Sequence, residues 1–195
     1  MNNTYKELPS GYKLKKYFSL KEINVQIIII LTALLIMIIP IITILIINKF
    51  EFVIPNNDRQ FLLELLIAIL ILIVGIILVL FLHEIIHAIF YKKYTKENPK
   101  LVINFQELSL KVENVYIKKK DTIIIMLAPL ILSLILFIPI IIFPLNMIKV
   151  ALILVFSSSL AIASDDLYTI LAISEYSKEA LYIYSNKTIS IYDVE

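Results

Sequence analysis

Four apolar runs, each long enough to cross a lipid bilayer, limit what this chain can fold into more than any other feature. They cover residues 26–48, 61–91, 122–143 and 147–173. A hydrocarbon core about 30 Å thick needs about 20 apolar residues in a helix. In lipid the backbone polar groups of such a run must be satisfied within it, and a helix does this. The expected fold class is therefore an all-α integral membrane protein with about four transmembrane helices. Composition agrees: 60% of the 195 residues are hydrophobic and the mean hydropathy is +0.91, whereas a soluble domain is about half apolar. A single membrane domain over residues 1–195 is expected at this length. Pro40, Pro129 and Pro139 fall inside the runs and should kink them, with neighbouring helices re-satisfying the freed carbonyls.

The polar flanks orient the runs, because cytoplasmic segments carry an excess of Lys and Arg. Residues 1–25 hold Lys6, Lys13, Lys15, Lys16 and Lys21, and residues 92–120 hold eight more lysines. The loop after the first run has Lys49 and Arg59, and the loop after the third has Lys149 alone. Both termini, including the tail 174–195, and the middle segment are thus expected in the cytoplasm. The chain reads as a multi-pass protein of the cell membrane. Its first apolar run is too long for a cleaved secretory signal. The flanking lysines, Lys118, Lys119 and Lys120 among them, should meet anionic lipid headgroups. They lack the interleaved aromatics of a nucleic-acid surface, so no nucleic-acid partner is expected. Tyr91, Tyr94 and Tyr116 lie near the expected interfaces, where Tyr is common. The Asn186-Lys187-Thr188 sequon falls on the cytoplasmic side, so glycosylation is not expected.

The middle segment is the largest piece outside the runs. Leu101 to Phe105 and Leu108 to Ile117 alternate apolar and polar residues and include β-branched ones. This predicts a small cytoplasmic β-hairpin segment over residues 99–118, between the second and third helices. It reads either as a plain interfacial connection or as an edge that holds an extended peptide.

The chain has no Cys and only two His, so a metal site must use imidazole and carboxylate. Both His fall in one motif, His83-Glu84-Ile85-Ile86-His87. On a helix the i, i+4 spacing puts the two rings on one face, where they can share an ion. Glu84 sits beside that face and can take a proton from water as a general base. Hydrolytic zinc takes three protein ligands and leaves a position for water. With no third His, the third ligand must be a carboxylate or an unusual group, and Asp165 and Asp166 stand out inside the fourth run. Counted from the outer ends of their runs, Asp166 lies about 28 Å along and His83 about 33 Å along, so they reach similar depth. Glu64 precedes His83 by about 19 residues, nearly 30 Å of helix, which is too far. Its expected role is an interfacial carboxylate. Zinc is the expected ion, although the donor types also suit iron or nickel.

At these residues the chain resembles a known family. Leu82-His-Glu-Ile-Ile-His-Ala88, Ala128-Pro-Leu130 and Ser164-Asp-Asp-Leu167 look like the small bacterial zincin peptidases, a group related to site-2-protease-type membrane metalloproteases. The resemblance covers roughly residues 60 to 195. It implies a bacterial source, zinc held by His83, His87 and an Asp of a later span, Glu84 as base, and strands after the first motif. The Asp carries over to Asp166, with Asp165 in the place of a small residue. The larger site-2 proteases have an Asn-Pro-Asp-Gly-like motif, which lacks its Asn-Pro and Gly here.

The expectation is a membrane-embedded zinc metalloprotease acting on a membrane-anchored peptide or protein near the cytoplasmic face. The alternative is a non-catalytic membrane protein whose metal site is structural or vestigial and which serves another membrane protein. Glu84 separates them, since a structural zinc gains nothing from an uncoordinated carboxylate beside it.

Overall fold

A computed structural model of the chain describes residues 4–47, 49, 51–55, 57–104, 107–111, 115–185 and 188–194. Phe105, residues 112–114 and the sequon residues Asn186 and Lys187 lie outside these described residues.

Among the described residues, four helical stretches are long and apolar enough to cross a membrane. They are α1 (Ile23–Ile47), α2 (Asp58–Thr95), the pair α3 (Lys119–Leu127) and α4 (Leu130–Ile142), and the pair α5 (Met147–Ile162) and α6 (Ser164–Ser174). α1 and α4 continue through Pro40 and Pro139. The third stretch is interrupted at Ala128 and Pro129, and the fourth at Ala163. The strands are β1 (Thr4–Tyr5), β2 (Tyr12–Ser19), β3 (Lys100–Asn104), β4 (Glu107–Lys111), β5 (Tyr116–Lys118), β6 (Leu181–Ser185) and β7 (Thr188–Val194).

The sequence led us to expect a hairpin between the second and third helices and no other strands. A hairpin is present as β3 and β4, in register from Lys100↔Lys111 to Asn104↔Glu107. A second, larger sheet accompanies it, with antiparallel order β1-β5-β6-β7-β2. Its strands come from the N-terminal segment, from the end of the middle segment and from the tail. The lysines of residues 13–16 therefore stand on a strand, β2, that pairs with β7 from Tyr12↔Val194 to Ser19↔Thr188. The "all-α" expectation is corrected to mostly helical with an antiparallel sheet.

The chain forms two compact units. The first comprises Met1–Ile30, His83–Pro129 and Asp165–Glu195. Its core is built on the five-stranded sheet. Phe18 of β2, Tyr182 of β6 and Ile189 and Ile191 of β7 pack with Val25 of α1 and Ile173 of α6. The period of two along β7 sends Ile189 and Ile191 to the same buried face. Each fully buried Ile contributes about 1.5–3 kcal/mol, so this cluster fixes α6 on the sheet. Lys119 adds a polar clamp. Its Nζ donates to the carbonyls of Ser174 (2.7 Å) and Tyr176 (2.6 Å) at the end of α6, where a cation suits the helix dipole. Lys119 is thus a helix cap, which corrects its reading as a lipid-facing charge.

A second cluster in this unit joins Tyr91 of α2, Val115, Ile117 of β5 and Ile125 of α3. Tyr91 is only 6% exposed; it is a core residue, and the interfacial role read from its position is withdrawn.

The other unit comprises Leu31–Leu82 and Leu130–Ser164. Ile44, Ile140, Leu145 and Ile153 form its core. Gly75 of α2 lets Val155 of α5 come close: a Cβ at Gly75 would lie 2.6 Å from Val155 Cγ2. Ser133 of α4 and Ser159 of α5 share a buried hydrogen bond of 2.7 Å. Small residues and hydroxyl pairs of this kind suit helix packing where water is absent.

Candidate metal centre

All the residues of the motif and its partners belong to the first unit. His83, Glu84 and His87 follow one another on α2, so the helical repeat alone stacks the two imidazoles one turn apart. Their ring centroids are 4.7 Å apart with planes at 79°. Asp166 comes from the first turn of α6. α5 ends at Ile162 with Ala163 as its cap, and the new helix starts at Ser164. A carboxylate in a first turn is favoured by the unpaired N–H groups there.

The three side chains converge. His87 Nε2 lies 3.1 Å from His83 Nε2 and 3.1 Å from Asp166 Oδ2. His83 Nε2 lies 3.2 Å from the same oxygen. His83, His87 and Asp166 are 5%, 9% and 7% exposed, so water cannot do the work of satisfying them. The other ring nitrogen of His87, Nδ1, lies 3.0 Å from the Ile125 carbonyl. A carbonyl only accepts, so Nδ1 carries the proton and donates it. In the neutral ring, Nε2 then holds a lone pair aimed at His83 and Asp166.

This donor set fits a divalent cation such as zinc. Tetrahedral zinc with bonds of about 2.0–2.1 Å keeps its ligand atoms about 3.3–3.4 Å apart, close to the edges seen here. Without a cation, one proton on His83 Nε2 would have to serve both of the other atoms. An ion satisfies all three lone pairs at once. His83, His87 and Asp166 are a buried group able to hold a metal ion. The orientation of His87 by a second hydrogen bond is also what a ligand imidazole needs.

Glu84 is half-buried and is not one of the three converging residues. It follows His83 directly on α2, so it lies beside the triangle without being part of it. Asp165 was the alternative third ligand. Its Oδ1 instead accepts the backbone N–H of Asp166 at 3.1 Å, which ties the turn that presents Asp166. Glu64 lies in the other unit, half-buried, with Oε2 unpartnered. The Ile125 carbonyl was not anticipated, because no side-chain motif marks a backbone acceptor.

A family model described as "putative zincin peptidase" matches residues 76–181, more than half of the chain. The matched span contains His83, Glu84, His87, Asp165 and Asp166. No curated protein and no solved structure matches the chain.

Proposed function

The chain belongs to the zincin peptidase family, and we propose that it is a membrane-embedded zinc metallopeptidase, of the site-2-protease type, acting on membrane-associated peptides or proteins near the cytoplasmic face. The observation that carries this reading is the convergence of two imidazole nitrogens and one carboxylate oxygen at 3.1–3.2 Å in a buried site. The motif residues come from a helix some 80 positions before the one that supplies the carboxylate, on apolar elements, which is the pattern expected of the site-2 class.

His83, His87 and Asp166 hold the ion. Zinc at such a centre supplies Lewis acidity, which lets water ionise near neutral pH and polarises a carbonyl oxygen. Glu84 accepts the proton of the attacking water. As oxygen bonds to the carbonyl carbon and the C–N bond breaks, Glu84 returns that proton to the leaving amine nitrogen. Asp165 holds the backbone of Asp166 and so keeps the carboxylate turned toward the rings.

The membrane setting is supported by what α1 and α2 leave uncovered. Ile28, Leu31, Leu35, Leu70, Ile73 and Ile77 are all about half exposed or more, a surface that lipid satisfies and water does not. α2 has 38 residues, about 57 Å at 1.5 Å per residue. It exceeds the hydrocarbon core, so the motif can sit near one membrane face while Asp58 and Arg59 sit near the other. The excess of lysines at the motif end supports a cytoplasmic position for it.

Glu84→Gln tests the assignment. The variant should bind zinc as the wild type does and lose turnover of a membrane-anchored peptide substrate. Equal cleavage by both proteins would remove Glu84 from the chemistry. Loss of zinc together with turnover would make it a ligand.

A further inference from the structure

We infer that Pro129 is a positioning residue for the metal centre. By lacking an N–H it frees the Ile125 carbonyl, which receives His87 Nδ1–H and so aims the Nε2 lone pair of His87 at His83 and Asp166. The α-helical hydrogen bond runs from the N–H of one residue to the carbonyl four earlier. Four residues before Pro129 is Ile125. Proline has no N–H and its ring crowds that carbonyl outward. The neighbouring N–H, on Ala128, is engaged by the Ile124 carbonyl at 3.0 Å. The Ile125 carbonyl is therefore left facing a neighbour, and α3 stops within two residues.

That neighbour is His87, at 3.0 Å in a buried contact between residues 38 positions apart. The packing that brings them together is in the same unit. Tyr91 lies one turn beyond His87 on α2 and packs in the cluster that holds Ile125. Once Tyr91 is seated there, His87 falls opposite the freed carbonyl. The benefit is mutual: the buried acceptor gains a donor, and the imidazole is fixed in the tautomer a metal ligand requires. Pro129 thus acts on the centre through the backbone carbonyl of Ile125.

The affinity readout below depends on the proposed metal centre, whereas the tautomer readout does not. In metal-free full-length protein labelled with ¹⁵N at His, at a pH where both rings are neutral, His87 should show one fixed tautomer with the proton on Nδ1. A ring that averages between tautomers, or carries its proton on Nε2, overturns the inference, and this holds whether or not any variant folds. Pro129→Ala restores an N–H that can close on Ile125. It should let His87 sample both tautomers and weaken zinc about 10–100-fold by chelator competition. Pro139→Ala, a helix proline of the other unit, should change neither. Unchanged zinc affinity in folded Pro129→Ala overturns the role at the centre even if the tautomer shifts. A wild type with a fixed His87 tautomer but no zinc affinity would instead defeat the proposed function and leave the Pro129–His87 link in place.

Discussion

His87 and Asp166 stand 79 residues apart in the chain, and their Nε2 and Oδ2 atoms lie 3.1 Å apart in a buried site. The contact depends on two separate supports. The sheet core and the Lys119 clamp fix α6, and the Tyr91–Ile125 cluster fixes the end of α2. Both belong to the same unit, which is why a triangle of donor atoms can be held to within a few tenths of an ångström of what an ion demands.

Asp165 and Asp166 should separate cleanly by metal content. Asp166→Ala removes one of the converging atoms and should leave purified protein without a full complement of zinc. Asp165→Ala removes only the hydrogen bond to the Asp166 N–H and should bind zinc about 10–100-fold more weakly, as losing a supporting contact does. Zinc titration of both variants checks this. Equal, full affinity in both would take the aspartates out of the site.

Chelation should destabilise the fold. An ion held by residues of α2 and α6 binds only the folded chain and stabilises it by about 2.7 kcal/mol at a free concentration 100 times Kd. Adding a chelator should lower the unfolding temperature in detergent, and zinc should restore it. No shift on chelation of protein shown to contain zinc would mean that the ion bridges nothing.

Gly75→Ala should destabilise the other unit. The new Cβ would lie 2.6 Å from Cγ2 of Val155, a stiff β-branched side chain that is 3% exposed. Overpacking of this kind costs about 1–3 kcal/mol. Val155→Ala in the same chain should recover part of that loss, which thermal unfolding of the single and double variants can measure.

Asp193 should give the tail an acid-sensitive contact. Burial opposes its charge, but hydrogen bonds from the N–H and Oγ of Ser177 and from the N–H of Val194 outweigh this and hold its carboxyl below the ordinary range. A carboxyl lowered on folding contributes stability above its unfolded pKa, and the contribution disappears as pH falls through the lowered value. Asp193→Asn should therefore reduce the difference in unfolding temperature between neutral and acid conditions. An unchanged pH dependence would show that the contact contributes nothing.

The parts legible in the sequence were those encoded locally. The four apolar stretches follow from composition over about 20 residues, and the His83–His87 pair from a single helical turn. The Asp pair stood out because charge inside an apolar run is costly. The five-stranded sheet was not legible, because β2 pairs with β7 from the far end of the chain. Its alternation is also broken by an irregularity between Leu14 and Lys16, and the density of Lys13, Lys15 and Lys16 reads as a membrane flank. Lys119 was misread for a related reason: its cap on α6 depends on Ser174 and Tyr176, more than 50 residues away. Asp166 was preferred over Asp165 only through the family resemblance, since which aspartate meets the rings turns on where α5 breaks, at Ala163.

X-ray absorption at the zinc edge, on full-length protein purified from membranes and loaded with zinc, tests the central claim most directly. The account predicts about one zinc per chain in a site of nitrogen and oxygen donors, with two imidazoles in the wild type, one in His87→Ala, and one fewer oxygen donor in Asp166→Ala. Protein that takes up no zinc, or zinc whose surroundings contain no imidazole, would contradict it.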